Sequence, residues 1–336
     1  MTDRPSTPEG VAAPRPDLGG GAATPSFVLP AGAAAGLPAR PVPLRIGPRL
    51  FQWGERTFVM GILNITPDSF SGDGLMADAD PAGGDSVGAA VELGLRMAAE
   101  GADLLDVGGE STRPGHEAVA DADEIARVVP VVRALRSALP DMPISVDTTK
   151  PAVASTALDA GANLVNDVWG VALDDGLPRL AAERGVPIVL MHNRAEARYT
   201  NLIAEILGDL QQAIQRALRA GVAWDAIVVD PGFGFGKTAA HNLVLLRELA
   251  SLQVLGRPIL LGTSRKSTLG KVLDLPADER LEATLATTAL GIAAGVDIVR
   301  VHDVRPNVRT ARMADAIVRG APGPALETGA IEDRAR

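Results

Sequence analysis

Cysteine is absent from this chain of 336 residues. Its absence excludes disulfide bonds, thiolate zinc sites and cysteine nucleophiles, and it is compatible with a reducing cytosol. Long apolar runs are absent too, so no segment is predicted to cross a bilayer. The N-terminus carries Asp3 and Glu9 and lacks the compact apolar stretch of a signal peptide. Together these features predict a cytoplasmic protein without a membrane partner.

Positive charge is scarce relative to negative charge. The chain has 32 Lys and Arg residues against 41 Asp and Glu residues, with a net charge of −9. Because affinity for nucleic acid comes largely from clustered Lys and Arg, we expect no nucleic-acid partner. The hydrophobic fraction of 46% is ample for a buried core, and the length suits one large domain or two ordinary ones.

The two ends of the chain differ from its middle. Residues 1–48 are rich in Pro, Ala and Gly and show neither helical nor strand periodicity, which predicts a disordered tail. Residues 321–336 have a similar but shorter low-complexity character. We therefore expect one folded domain over residues 49–320.

Within that domain, short apolar runs alternate with segments of helical character. The runs are rich in β-branched residues and apolar throughout, as expected for strands that are covered on both faces. Glycines at 101, 161, 185, 221 and 295 stand where helices should end, and Pro151 suits the first turn of one. The eight predicted strands are residues 59–63, 103–105, 144–146, 164–165, 188–191, 227–229, 259–261 and 298–301.

Eight strands that alternate with helices predict an α/β fold, either a (β/α)8 TIM barrel or an open doubly wound sheet. Almost every predicted strand ends in a polar side chain that could bind or react. A barrel gathers such residues from many strand ends at one mouth, whereas an open sheet concentrates its site at one crevice. The distribution favours the barrel.

Acidic and amide side chains end three of the strands: Asp147 the third, Asn166 the fourth and Asp230 the sixth. A single carboxylate in such a place is often only a helix N-cap, and Asp106, at the end of the second strand, fits that interpretation. Three such residues that converge on one barrel mouth are harder to explain as caps. An Asp–Asn–Asp set matches the amino-pyrimidinone edge of a flat heterocycle, because the carboxylates accept from N–H groups and the amide both donates and accepts.

Cationic side chains follow the last two strands. Arg265 and Lys266 come after the seventh strand, and Arg300 and His302 lie on one face of the eighth. Loops after strands 7 and 8 commonly bind phosphate in barrels. Arg113, in a glycine-flanked loop after the second strand, could grip the same anion, or could be a surface residue. The mouth is thus predicted to hold a donor-rich ring with a phosphorylated tail.

Two further loops carry candidate groups. Asn64 ends the first strand, where its amide could meet a ligand or a metal-bound water. The glycine-rich segment 231–238 invites a P-loop interpretation, but its glycine spacing is one residue too short. A loop that lets a ligand approach the backbone is the better interpretation.

Eight segments in this order resemble the dihydropteroate synthase family of pterin-binding TIM barrels. They lie between residues 61 and 304 and cover nearly all of the predicted barrel: GILNITPDSFS, DVGGESTRPG, ISVDTTKPAVA, NLVNDVWG, LMH, VVDPGFGFGKT, GTSRKS and VRVHDV. The resemblance implies condensation of 6-hydroxymethyl-7,8-dihydropterin pyrophosphate with 4-aminobenzoate, giving 7,8-dihydropteroate and pyrophosphate. It also implies a Mg2+ cofactor, a homodimer and an enzyme of the class that sulfonamides target.

The resemblance also assigns roles to residues. It implies that Asn64 contacts the metal and that four residues are catalytic: Asp147, Lys266, Arg300 and His302. The residues implied to bind the pterin are Asp147, Asn166, Met191, Asp230, Phe235 and Lys266. Those implied for the pyrophosphate are Asn64, Arg113, Arg300 and His302, and those implied for the aminobenzoate are Thr112, Arg113, Ser264 and Arg265.

One segment departs from the family pattern. After residues 190–192, a turn of the Met-Gln-Gly type is usual, whereas this chain reads Asn193-Arg194. Two rival functions share part of the pattern. A methyltetrahydrofolate-dependent corrinoid methyltransferase would use Asp147, Asn166 and Asp230 but has less need of the cationic loops. A catalytically silent pterin-binding paralogue would be expected to lose loop residues that this chain retains.

Overall fold

Eight parallel strands form the centre of the computed structural model, which describes residues 41–65, 86–110, 119–170 and 175–320. Their order around the sheet is β8-β7-β6-β5-β4-β3-β10-β9. The two end strands are joined by a parallel bridge between Val229 and Ile259, which closes the barrel. The predicted (β/α)8 barrel is therefore confirmed, and the open-sheet alternative is wrong. The strands are β3 (Phe58–Asn64), β4 (Leu104–Gly108), β5 (Ile144–Asp147), β6 (Leu164–Asp167), β7 (Ile188–Met191), β8 (Ile227–Asp230), β9 (Leu260–Leu261) and β10 (Ile298–Val301).

Helices cover the outside of the barrel and follow the strands in alternation. The five glycines predicted to end helices all have positive φ angles, and Pro151 begins a helix as expected. Among the described residues, no helix is long and apolar enough to cross a membrane. The helices are α1 (Ser86–Glu100), α2 (Asp121–Ala138), α3 (Pro151–Asp159), α4 (Gly176–Arg184), α5 (Leu202–Arg219), α6 (Ala239–Arg247), α7 (Ser267–Leu273), α8 (Leu281–Ala293) and α9 (Val304–Arg319).

An antiparallel hairpin of β1 (Leu44–Ile46) and β2 (Arg49–Phe51) precedes the barrel. Its buried side chains join an apolar cluster with the first residues of several barrel strands, including Phe58, Leu104 and Ile298. The hairpin therefore plugs the N-terminal end of the barrel and leaves the C-terminal end for a site. The predicted domain start at residue 49 is wrong, because strands of three residues are too short to show an alternating pattern. Residues 1–40 and 321–336 lie outside the described residues.

The second barrel strand differs from its prediction in a way that matters for the site. β4 continues to Gly108, three residues beyond the predicted end. Asp106 is consequently a strand residue and not a helix N-cap. Side chains alternate along a strand, so Asp106 faces the same way as Leu104, which belongs to the cluster inside the barrel.

Candidate active site

A cavity lies at the C-terminal end of the barrel, and its empty space of about 290 Å³ includes part of the open solvent at its mouth. All six residues predicted to bind a pterin line it, although they come from different strands and loops. Parallel strands bring their carboxyl ends to one face of a barrel, which is why residues distant in sequence meet here. The lining residues are Asp147, Asn166, Val168, Met191, Asp230, Phe235, Gly262, Lys266 and Arg300.

Arg300 holds the carboxylates at the base of this cavity. Its Nε donates to Asp106 Oδ2 and its second terminal nitrogen to Asp147 Oδ2, both at 2.6 Å. Asn166 Nδ2 also donates to Asp106 Oδ2, at 3.1 Å. Burial would lower the pKa of Arg300, but Asp106 and Asp147 outweigh burial and raise it above its ordinary value. Arg300 is therefore a permanent cation that orients two carboxylates.

Asp147 presents a carboxyl group of unusual basicity. Burial raises its pKa to about 7, against the opposing charge of Arg300 and with a smaller contribution from Asp106. Its Oδ1 is buried without a hydrogen-bond partner among the described residues. Buried acceptors are nearly always paired in proteins, so this oxygen is suited to accept an N–H from a ligand in the cavity.

Lys266 and Asp230 form the opposite wall. Lys266 Nζ donates to the carbonyl oxygen of Phe233 and lies 4.3 Å from the centre of the Phe235 ring. Burial lowers the pKa of Lys266 to about 7, and nearby Asp230 opposes that shift. Burial also raises the pKa of Asp230, whose Oδ1 accepts from the Gly232 amide at 2.7 Å. The wall thus offers an amine donor, a carboxylate and an aromatic face.

The remaining predicted residues lie outside this cavity lining. His302 Nδ1 is 2.9 Å from Ser264 Oγ, which also accepts from the His302 amide, so the hydroxyl proton is left for the imidazole. Arg265 makes a two-pronged contact with Asp303 at 3.0 and 2.6 Å. Asn64 is exposed at the end of β3. The predicted Thr112 and Arg113 lie outside the described residues.

Two residues of the site were missed from the sequence. Asp106 was not assigned to the site because its strand was predicted to end too early. If the strand had been extended to the glycines at 108 and 109, the alternation of side chains would have placed Asp106 inside the barrel. Lys237 was noted only as part of a glycine-rich loop, yet its Nζ contacts three groups below the cavity. No periodic pattern marks such a residue, because its partners are backbone carbonyls and a distant imidazole.

Comparison with known proteins identifies the lineage of this site. The model of the pterin-binding enzyme family matches residues 60–302, which include every described residue of the cavity. The chain belongs to this family. A relative in the family, the dihydropteroate synthase of Clostridium beijerinckii, is 50% identical over 277 residues, which are 82% of this chain and 100% of that protein.

Solved structures of pterin-binding enzymes agree with the fold. A dihydropteroate synthase from Clostridium difficile, crystallised in the presence of pteroic acid, is 46% identical with a TM-score of 0.76; the match covers 80% of this chain and 99% of that one. The Xanthomonas albilineans dihydropteroate synthase with 4-aminobenzoic acid is 39% identical with a TM-score of 0.76, covering 84% of this chain and 100% of that one.

Proposed function

We propose that the chain is a transferase that condenses 6-hydroxymethyl-7,8-dihydropterin pyrophosphate with 4-aminobenzoate, the dihydropteroate synthase reaction. The observation that carries the proposal is the cavity in which Asp147, Asn166, Asp230 and Lys266 meet. A relative named for this reaction matches the chain over its full length at 50% identity. That match supports the synthase over a corrinoid methyltransferase.

The cavity has the groups that a pterin ring requires. The ring carries N–H donors along its pyrimidinone edge, and Asp147 Oδ1 is an acceptor without a partner among the described residues. Asn166 can donate and accept, while Asp230 accepts from the other side. Lys266 supplies a donor for the ring carbonyl, and Phe235 supplies a face against which the ring can stack.

The chemistry breaks one bond and forms another. The C–O bond of the pterin methylene breaks, its electron pair leaves with pyrophosphate, and the positive charge spreads into the ring. The arylamine nitrogen then attacks the methylene and loses a proton. The ionised carboxylate of Asp147 stabilises the cationic ring, and Arg300 keeps that carboxylate in place at 2.6 Å. An arylamine is already a nucleophile, so no strong base is required.

Anion binding is assigned to groups at the mouth together with Arg300 of the cavity lining. We infer that Asn64, Arg300 and His302 contact the pyrophosphate, with Arg113 as a further contact. Ser264 orients the His302 ring through its hydroxyl proton. Thr112, Arg113, Ser264 and Arg265 are inferred to bind the aminobenzoate.

A Mg2+ ion fits the donor set at the mouth when substrate phosphates complete its shell. Among the described residues there is no group of three or more His, Asp or Glu side chains that could hold a metal. Mg2+ commonly uses one or two protein oxygens together with waters and substrate phosphates. Asn64, exposed at the end of β3, offers one such oxygen. When bound, Mg2+ neutralises charge on the leaving pyrophosphate.

A homodimer is proposed as the working form. Leu290 on α8 and Met313 and Ile317 on α9 are exposed, and the two helices pack side by side. Exposed apolar groups on adjacent elements are typical of protein interfaces. The cytoplasmic location and the role as a sulfonamide target expected from the sequence stay predictions.

The test is a coupled assay of pyrophosphate release with both substrates and Mg2+. We expect turnover that depends on aminobenzoate and is lost in Lys266→Ala, whereas Lys271→Ala, which changes an exposed lysine on α7, keeps it. Folded protein that binds the pterin but releases no pyrophosphate would refute the synthase and establish the silent-paralogue alternative.

A further inference from the structure

Lys237 lies beneath the cavity with all three of its N–H donors directed at acceptors. Its Nζ contacts His192 Nδ1 at 2.8 Å, Gly232 O at 3.0 Å and Phe235 O at 3.1 Å. Burial lowers the pKa of Lys237 to about 7, against the opposing charge of Asp230. In its ammonium form the group has three donors and no acceptor, so these three contacts saturate it. Lys237 is not among the residues that line the cavity.

The His192 contact fixes the protonation of the imidazole. Nε2 faces Asp209 Oδ2 at 3.2 Å, and a carboxylate oxygen only accepts, which favours the ring proton on Nε2 and leaves Nδ1 to accept from Lys237. Burial, followed by the charges of Lys237 and Arg194, lowers the pKa of His192 to about 3, which keeps the ring neutral. Asp209 lies on α5, so His192 links that helix to the loop.

The departure from the family pattern at Arg194 strengthens this link. Arg194 Nε donates to Asp209 Oδ2 at 2.8 Å, and its first terminal nitrogen donates to Glu205 at 2.7 Å. Both acceptors belong to α5. Residues 192–194 are therefore anchored to α5 by side-chain contacts of His192 and Arg194.

The glycine-rich loop 231–238 lies directly on this anchored segment. A Cβ added at Gly232 would lie 1.8 Å from the carbonyl oxygen of His192, and one added at Gly236 would lie 2.4 Å from that of Arg194. Backbone meets backbone at both places, and only glycine permits that approach. In this arrangement the Lys237 side chain reaches two carbonyl oxygens of the loop, those of Gly232 and Phe235.

The loop supplies part of the cavity wall. The carbonyl of Phe233 accepts from Lys266 Nζ, and the ring of Phe235 lies under that same ammonium group. A shift of the loop would move both contacts of Lys266 at once. The chain of contacts thus runs from α5 through His192 and Lys237 to Lys266.

We propose that Lys237 is a positioning residue: held by His192, it fixes loop 231–238 so that Phe233 and Phe235 place Lys266 for the pterin. This inference rests on the proposed function for its consequence, but its structural claim can be tested without substrate. Lys237 acts through Lys266 and takes no part in bond making.

The first experiment is hydrogen exchange on the unliganded full chain. Within the loop, the Gly234 amide donates to Asn242 Oδ1 and the Phe235 amide to Gly232 O. We expect loop amides to exchange roughly tenfold faster or more in Lys237→Met, with peptides of the distant strands unchanged. Lys271→Met is the matched control. Unchanged loop exchange in a folded Lys237→Met variant overturns the proposal.

The second experiment separates positioning from general damage. Lys237→Met should raise KM for the pterin substrate roughly tenfold or more, while KM for aminobenzoate stays the same. His192→Asn keeps an acceptor near the Nδ1 position and should restore most of the pterin affinity that His192→Leu loses. The double variant Lys237→Met/His192→Leu should raise KM for the pterin substrate no more than the more damaging single variant does, because the pair acts as one unit. Equal losses for both substrates, or additive losses, contradict the proposal.

These measurements distinguish failure of the positioning proposal from failure of the synthase proposal. Pterin affinity is measured by calorimetry with the dihydropterin pyrophosphate alone, so it does not require turnover. If the wild-type chain binds pterin without turnover, the synthase proposal fails while the positioning proposal stands or falls on the variants.

Discussion

At the scale of single residues, the centre of the site depends on a carboxylate that never meets solvent. Asp106 accepts from both Arg300 and Asn166 inside the barrel. We expect Asp106→Ala to lower the free energy of unfolding by roughly 3–5 kcal/mol, because it leaves the largely buried guanidinium of Arg300, whose side chain is 18% exposed, with half of its charged partners. Urea denaturation measures the change, and Asp159→Ala, at an exposed surface pair, should leave stability nearly unaltered. A loss as small as that of the control would contradict the account.

The pH dependence of substrate capture is also decided by individual groups. Burial raises the pKa of Asp147 to about 7, so kcat/KM for the pterin substrate should rise with pH as this carboxyl loses its proton. Burial lowers the pKa of Lys266 to about 7, so kcat/KM should fall again once the ammonium group is lost. Asp147→Asn should remove the rising limb and leave the falling limb. A rising limb that persists in this variant would assign it to another acid.

At the scale of elements, the N-terminal hairpin is expected to stabilise the whole barrel. Phe51 is 1% exposed and packs in a cluster of tilted rings with Trp53 and Phe58, whose ring centres are 5.8 and 4.6 Å away. Phe51→Ala should cost roughly 3–5 kcal/mol in the free energy of unfolding. Leu50→Ala, next in sequence but 48% exposed, should cost less than about 0.5 kcal/mol. Similar values for the two variants would mean that the plug contributes little.

The elements also show what the sequence can and cannot predict. Strands whose apolar run stops at a polar residue, as at Asp147 and Asp230, were located together with their site residues, because burial on both faces leaves a clear compositional mark. β4 continues through Asp106 and two small residues, so composition gave its end too early. The hairpin was missed because its strands are only three residues long. Lys237 was missed because its partners, two backbone carbonyls of its own loop and a distant imidazole, leave no periodic pattern.

At the scale of the whole molecule, the outer surface of α8 and α9 is the interface that we propose for a second copy. Met313 and Ile317 are one helical turn apart and are 63% and 66% exposed. If they are buried in a dimer, Met313→Glu with Ile317→Glu should shift the molecule to monomers in sedimentation at micromolar concentration, because an interface does not tolerate unpaired charge in its apolar centre. Val254→Glu is the matched control, since Val254 is 70% exposed but lies between α6 and β9. If only Val254→Glu dissociates the dimer, the interface includes Val254 and not α9. If the double variant remains dimeric, α9 is excluded from the interface.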